Sequence, residues 1–96
     1  MVRYEIAIIL KSLPRDQLKN AFRTAATTIL NEGALLRQIQ YLGHRKLPYR
    51  MVAHKAPFDE GSYLVCNIEA GPHMVKTIMD TLKKTKTVIR ASMVKI

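Results

Sequence analysis

Val2-Arg3-Tyr4-Glu5-Ile6-Ala7-Ile8-Ile9-Leu10 alternates along its whole length, with Tyr4, Ile6, Ile8 and Leu10 on one side and Arg3, Glu5, Ala7 and Ile9 on the other. The aliphatic and β-branched content and the period of two specify a strand. Neither side is strongly polar, which places the strand inside a sheet and requires later segments to supply its neighbours and its cover.

Those segments follow in order. Ser12-Leu13-Pro14-Arg15-Asp16 carries helix-start signals: a Ser able to cap, a Pro in the first turn and an early acid. Leu18, Ala21, Phe22, Ala25, Ile29 and Leu30 then recur at helical spacing, predicting an amphipathic helix over 14–32 that Gly33 closes in a left-handed conformation. Residues 34–42 read as a second strand with imperfect alternation, as an edge strand would have. Residues 43–50 continue it past a Gly that permits a bulge and a Pro that lacks a donor. Residues 51–61 contain Pro57 and the acidic pair Asp59-Glu60 and are expected to form an irregular, protruding hairpin loop.

Ser62 to Ala70 is a third strand of clean period two, with Leu64, Cys66 and Ile68 opposed to Tyr63, Val65, Asn67 and Glu69. Gly71-Pro72 opens a second helix, whose Val75, Ile78, Met79 and Leu82 form one stripe ending near Lys84. Residues 87–95 are the last strand. The order β-α-β-β-α-β, with one apolar stripe per helix and right-handed crossovers, predicts an α+β ferredoxin-like sandwich. Two helices cover one face of a four-stranded antiparallel sheet whose first and third strands are central. At 96 residues the chain is expected to form a single domain spanning residues 1–96.

Sixteen Lys and Arg against seven Asp and Glu leave a net charge of +9, which points to a polyanionic partner, nucleic acid before membrane. A single cysteine excludes an intramolecular disulfide framework, and no apolar run reaches the roughly 20 residues of a membrane span. No secretory leader is visible at the N-terminus. The seven carboxylates form no spaced acid/base pattern, and His44, His54 and His73 lie ten or more residues apart with no CxxC near Cys66. Neither a metal nor another cofactor is therefore expected. Acylphosphatases share this length and architecture, but their phosphate loop would fall on Lys11-Ser12-Leu13-Pro14, which lacks glycine. An RNA-recognition motif needs outward aromatics on both central strands, and only Tyr63 qualifies.

What remains is backbone contact. Arg3, Arg45, Lys46, Arg50, Arg90 and Lys95 lie on strands or strand ends outside the expected core and are the candidate RNA-binding residues. The open face is mildly apolar. Ile9, Tyr63, Val65 and Val94, with Ile39 on the second strand's edge, are the candidate partner-binding residues. An alternative is an interaction or regulatory module of the same fold whose positive charge is incidental.

Arg3-Tyr4-Glu5, Gly33-Ala34, Leu42-Gly43-x-Arg45-x-Leu47-x-Tyr49, Gly61-x-Tyr63, Val88-x-Arg90 and Val94-Lys95 together resemble the family of the sixth small-subunit ribosomal protein. Leu47-Pro48-Tyr49-Arg50 with Ala53-His54 looks more like its mitochondrial branch. The resemblance implies a non-catalytic constituent of the mitochondrial small subunit that binds small-subunit ribosomal RNA in the central domain, or platform. It implies a heterodimer with the eighteenth small-subunit ribosomal protein, the company of other mitoribosomal proteins, a matrix location and no membrane role. Arg3, Arg45, Arg90 and Lys95 match the family's basic positions. Members often carry a C-terminal tail, whereas this sequence stops at Ile96, leaving the sheet face and second-strand edge as the expected partner surface.

Overall fold

The computed structural model describes residues 2–96. Six elements follow in the expected order: β1 (Val2–Leu10), α1 (Arg15–Asn31), β2 (Leu35–Ala53), β3 (Ala56–Ala70), α2 (Pro72–Lys84) and β4 (Val88–Lys95). The sheet order is β2-β3-β1-β4, so β1 and β3 are central and β2 is an edge. All three pairings are antiparallel. This is the ferredoxin-like arrangement.

Tyr4, Ile6, Ile8 and Leu10 of β1 stand beside Leu64, Cys66 and Ile68 of β3 in one buried layer, against Ala21, Ala25 and Ile29 of α1 and Val75, Ile78, Met79 and Leu82 of α2. Burial of this layer supplies the main stabilising term, because aliphatic area leaves water on both helices and both central strands at once. Arg3, Glu5, Ala7 and Ile9 point to the face without helices, opposite Glu69, Asn67, Val65 and Tyr63.

Helix ends differ in detail from expectation. Pro14, not Ser12, occupies the N-cap of α1, and no side chain caps it. Ser12 Oγ instead hydrogen-bonds His44 Nε2 at 2.7 Å, tying the β1–α1 connection to β2. Gly33 closes α1 with φ +84°, and its N–H donates to Leu30 O. Leu30, expected on the apolar stripe, is exposed.

The larger correction concerns residues 51–61. They are not an irregular loop. Met51 pairs with Phe58, Val52 with Pro57 and Ala53 with Ala56, closing through His54 and Lys55, both at positive φ (51° and 64°). Two successive left-handed residues make the turn that matches strand twist in a two-residue hairpin, although His and Lys are unusual there. Their identity, with Pro57 and two acids alongside, hid the strand pairing of this hairpin in the sequence. Two contacts hold it in place. A second apolar cluster of Leu47, Met51 and Ile89 forms beneath it, with Ile9, Ala53, Phe58 and Tyr63 packed around. His54 Nε2 donates to the Val88 carbonyl at 2.9 Å.

Candidate nucleic-acid interface

β2 bends because it carries three register irregularities against a nearly regular β3. Arg37 is an extra residue between Leu36, opposite Ile68, and Gln38, opposite Asn67; Leu42 is another, followed by Gly43 at φ +100°. The third is larger. Lys46 stands opposite Glu60 and Met51 opposite Phe58, so residues 47–50 face Asp59 alone. Such bulges bend a strand and re-aim its side chains. Here Leu47 turns into the second cluster, Tyr49 and Arg50 turn out, and the strand arches over the open face towards β4.

β4 answers with its own irregularity: Ile9 pairs with Arg90 and Leu10 with Val88, leaving Ile89 as the extra residue. Plain alternation would put Ile89 on the same side as Ala91 and Met93. The bulge sends it under the arch instead. Arg90 beside it donates from Nη1 to the Tyr49 hydroxyl, spanning the sheet from β4 to β2. On the other flank the Arg45 guanidinium lies 5.7 Å from the Tyr63 ring centroid and donates from Nη2 to Leu42 O at 3.2 Å. Across this end of the sheet the order is thus Arg45, Tyr63, Ile9, Arg90.

The six basic positions named from sequence do not form one surface. Arg45 and Arg90 stand on the same face at the arch, and no acidic side chain pairs with either among the described residues. Lys46 is exposed at the start of the arch. Arg50 is also there, but its Nε meets Asp59 Oδ1 at 3.2 Å, so much of its charge is answered internally. Arg3 lies at the far end of the face, 3.7 Å from Glu69. Lys95 pairs with Tyr4, whose side chain is on the helix side, so it does not share the face of Arg90.

Sequence reasoning missed Arg37 and the part played by Tyr49. Arg37 Nη1 donates to Glu69 Oε2 at 2.7 Å, and with Arg3 it brackets that carboxylate. The hydrogen bond from Arg37, opposed by partial desolvation and aided by the charges of Arg37 and Arg3, holds the Glu69 carboxyl below its ordinary value. Arg37 was hidden because its partner Glu69 lies 32 residues away on another strand. Tyr49 stood in the motif, but its partner lies 41 residues away.

The expected partner positions also divide. Ile9 and Tyr63 are half-buried against the second cluster, beneath the chain's own hairpin. Val65 is half-buried in mid-sheet, and Val94 is 65% exposed on β4 beside Glu5. Ile39 is exposed on the β2 edge opposite Cys66, and hence on the helix side.

No group of three or more His, Cys, Asp or Glu side chains is placed to hold a metal ion among the described residues. Cys66 is buried between the two helices and the sheet, and burial pushes its thiol up to about 11, leaving it a packing residue at neutral pH. No helix is long and apolar enough to cross a membrane.

A family model described as ribosomal protein S6 matches residues 3–95. The small ribosomal subunit protein bS6m of Bos taurus is 36% identical over 95 residues, covering 99% of this chain and 77% of that protein. Its counterpart in Gallus gallus is 33% identical, covering 99% and 78%. Among solved structures, 30S ribosomal protein S6 of Thermotoga maritima superposes with a TM-score of 0.84 over 99% of this chain and 87% of that one, at 20% identity, which speaks to the fold. The matched proteins are ribosomal structural proteins, not enzymes. With a family model and relatives of the mitochondrial type that both match nearly the whole of its length, this chain belongs to the ribosomal protein S6 family, in its mitochondrial branch.

Proposed function

We propose that this chain, acting as one domain over residues 1–96, binds small-subunit ribosomal RNA of the central domain through the arched end of its open sheet face. It does so as a non-catalytic constituent of the mitochondrial small subunit. The observation that carries the reading is the placement of Arg45 and Arg90, two guanidinium groups without carboxylate partners, on either side of one arch. Guanidinium groups so held keep most of their donors for phosphate oxygens and lose little freedom on binding. Lys46 adds charge at the same end, Arg50 contributes after exchanging Asp59 for phosphate, and Arg3 and Lys95 serve the periphery.

The eighteenth small-subunit ribosomal protein is the proposed protein partner. The surface left to it is Val65 and Val94 on the open face, with Ile39 on the β2 edge; Ile9 and Tyr63 contribute only what the hairpin leaves uncovered.

The test is incorporation in cells. Tagged wild-type chain should co-sediment with the small subunit and its ribosomal RNA. The double variant Arg45→Glu/Arg90→Glu should be depleted from that peak several-fold, while its purified form keeps a cooperative melt. Undiminished incorporation of the double variant would remove this face from RNA binding.

A further inference from the structure

Tyr49 stands out once the arch is described. It is 56% exposed, although its neighbours at alternate positions, Leu47 and Met51, are buried. The bulge of residues 47–50 turns it outward, and Arg90 holds its hydroxyl from the far strand. The ring stacks on no other aromatic side chain among the described residues, where Phe22 and Tyr41 form the aromatic pair. A large flat apolar surface is thus fixed at both ends, at the backbone by the bulge and at the hydroxyl by Arg90, with much of it in water. Beside it is a guanidinium with donors to spare.

We infer that Tyr49 is a stacking platform for one unpaired RNA base, with Arg90 holding the phosphate next to that base. The inference rests on the RNA-binding reading above and deepens it by naming the kind of RNA: a junction or bulge with an extruded nucleotide, not uninterrupted duplex. Three physical points support this. An A-form duplex keeps its base faces stacked inside and offers only phosphate and sugar to a shallow surface, so an exposed ring gains little there. An unstacked base regains an aromatic neighbour on Tyr49, and the ring is held beforehand, so little ordering cost is added on binding. The site takes one base and not a run, because the next outward aromatic, Tyr63, is half-buried under Arg45 and the hairpin.

The experiment uses the full chain and two synthetic RNA hairpins, identical except that one carries a single unpaired 2-aminopurine. Affinity is read by anisotropy and stacking by quenching of the purine's fluorescence. Wild type should bind the bulged hairpin more tightly than the paired one and quench the probe. Tyr49→Ala should lose the quench and cut affinity for the bulged hairpin by about ten-fold or more, and Tyr49→Phe should keep the quench. If Tyr49→Ala binds and quenches as wild type does, while Arg45→Glu/Arg90→Glu loses both hairpins, the platform is overturned and the phosphate-binding face stands. If wild type binds neither hairpin, both readings fall.

Discussion

Glu69 shows how a single carboxylate organises the far end of the open face. Arg37 and Arg3 meet on it, and its lowered pKa means that folding and ionisation support each other. The unfolded state takes up a proton at higher pH than the folded state, so this contribution is whole above the ordinary carboxylate range and fades as pH falls through the folded value. Glu69→Gln should therefore lower stability at neutral pH and converge with wild type in acid, flattening the acid side of the stability–pH curve, which chemical denaturation at a series of pH values would show. Cys66 works in the opposite direction. Burial raises its thiol from 9.0 to about 11, so the folded chain retains a proton that the unfolded chain releases. Stability should fall by roughly 1.4 kcal/mol per pH unit over that interval, an alkaline loss that Cys66→Ala abolishes. The Cys66 role was legible from its place in the alternation of Ser62 to Ala70, since a central strand's inward side admits a small apolar thiol. The Glu69 cluster was not, because Arg3, Arg37 and Glu69 stand on three different strands and meet only across the folded sheet.

Among the elements, the β2–β3 hairpin decides where the basic residues stand. Its close approach to β1 depends on Gly61, where a Cβ would meet Leu10 O at 2.7 Å and Ile9 Cγ2 at 2.8 Å. Backbone oxygen does not move aside as a flexible side chain can, so Gly61→Ala should destabilise the fold by about 1–3 kcal/mol, measured by thermal melting. Leu47→Ala should act more locally. It hollows the small cluster under the arch and leaves the main core intact, so amide exchange should accelerate from 46 to 60 well before global unfolding. The two helices, the central strands and the edge position of β2 were legible because each rests on periodicity along its own residues. The regular pairing of the hairpin, expected as an irregular loop, was hidden for the converse reason. His54-Lys55 lacks the Asn or Gly that marks such a turn, and what stabilises it, Ile89 and the Val88 carbonyl, belongs to another strand. All six basic candidates stand outside the core as expected, but the convergence of Arg45 and Arg90 needed the arch.

For the molecule as a whole, the +9 charge is unevenly committed. Arg3, Arg37 and Arg50 are partly answered by Glu69 and Asp59, while Arg45 and Arg90 are not. RNA affinity should thus fall linearly with the logarithm of salt, and Arg45→Ala should reduce that slope by about 1, whereas Arg50→Ala should change it less. The central position of β1 has one more consequence, in time rather than in space. Every partner of β1 comes from Ser62 onward, and Tyr4 waits for Lys95. During translation β1 therefore finds no neighbour until β3 has emerged, and its second neighbour, β4, comes later still. The sheet closes only once β4 has emerged, and before β3 arrives the run from Ile6 to Leu10 is the surface a chaperone would meet.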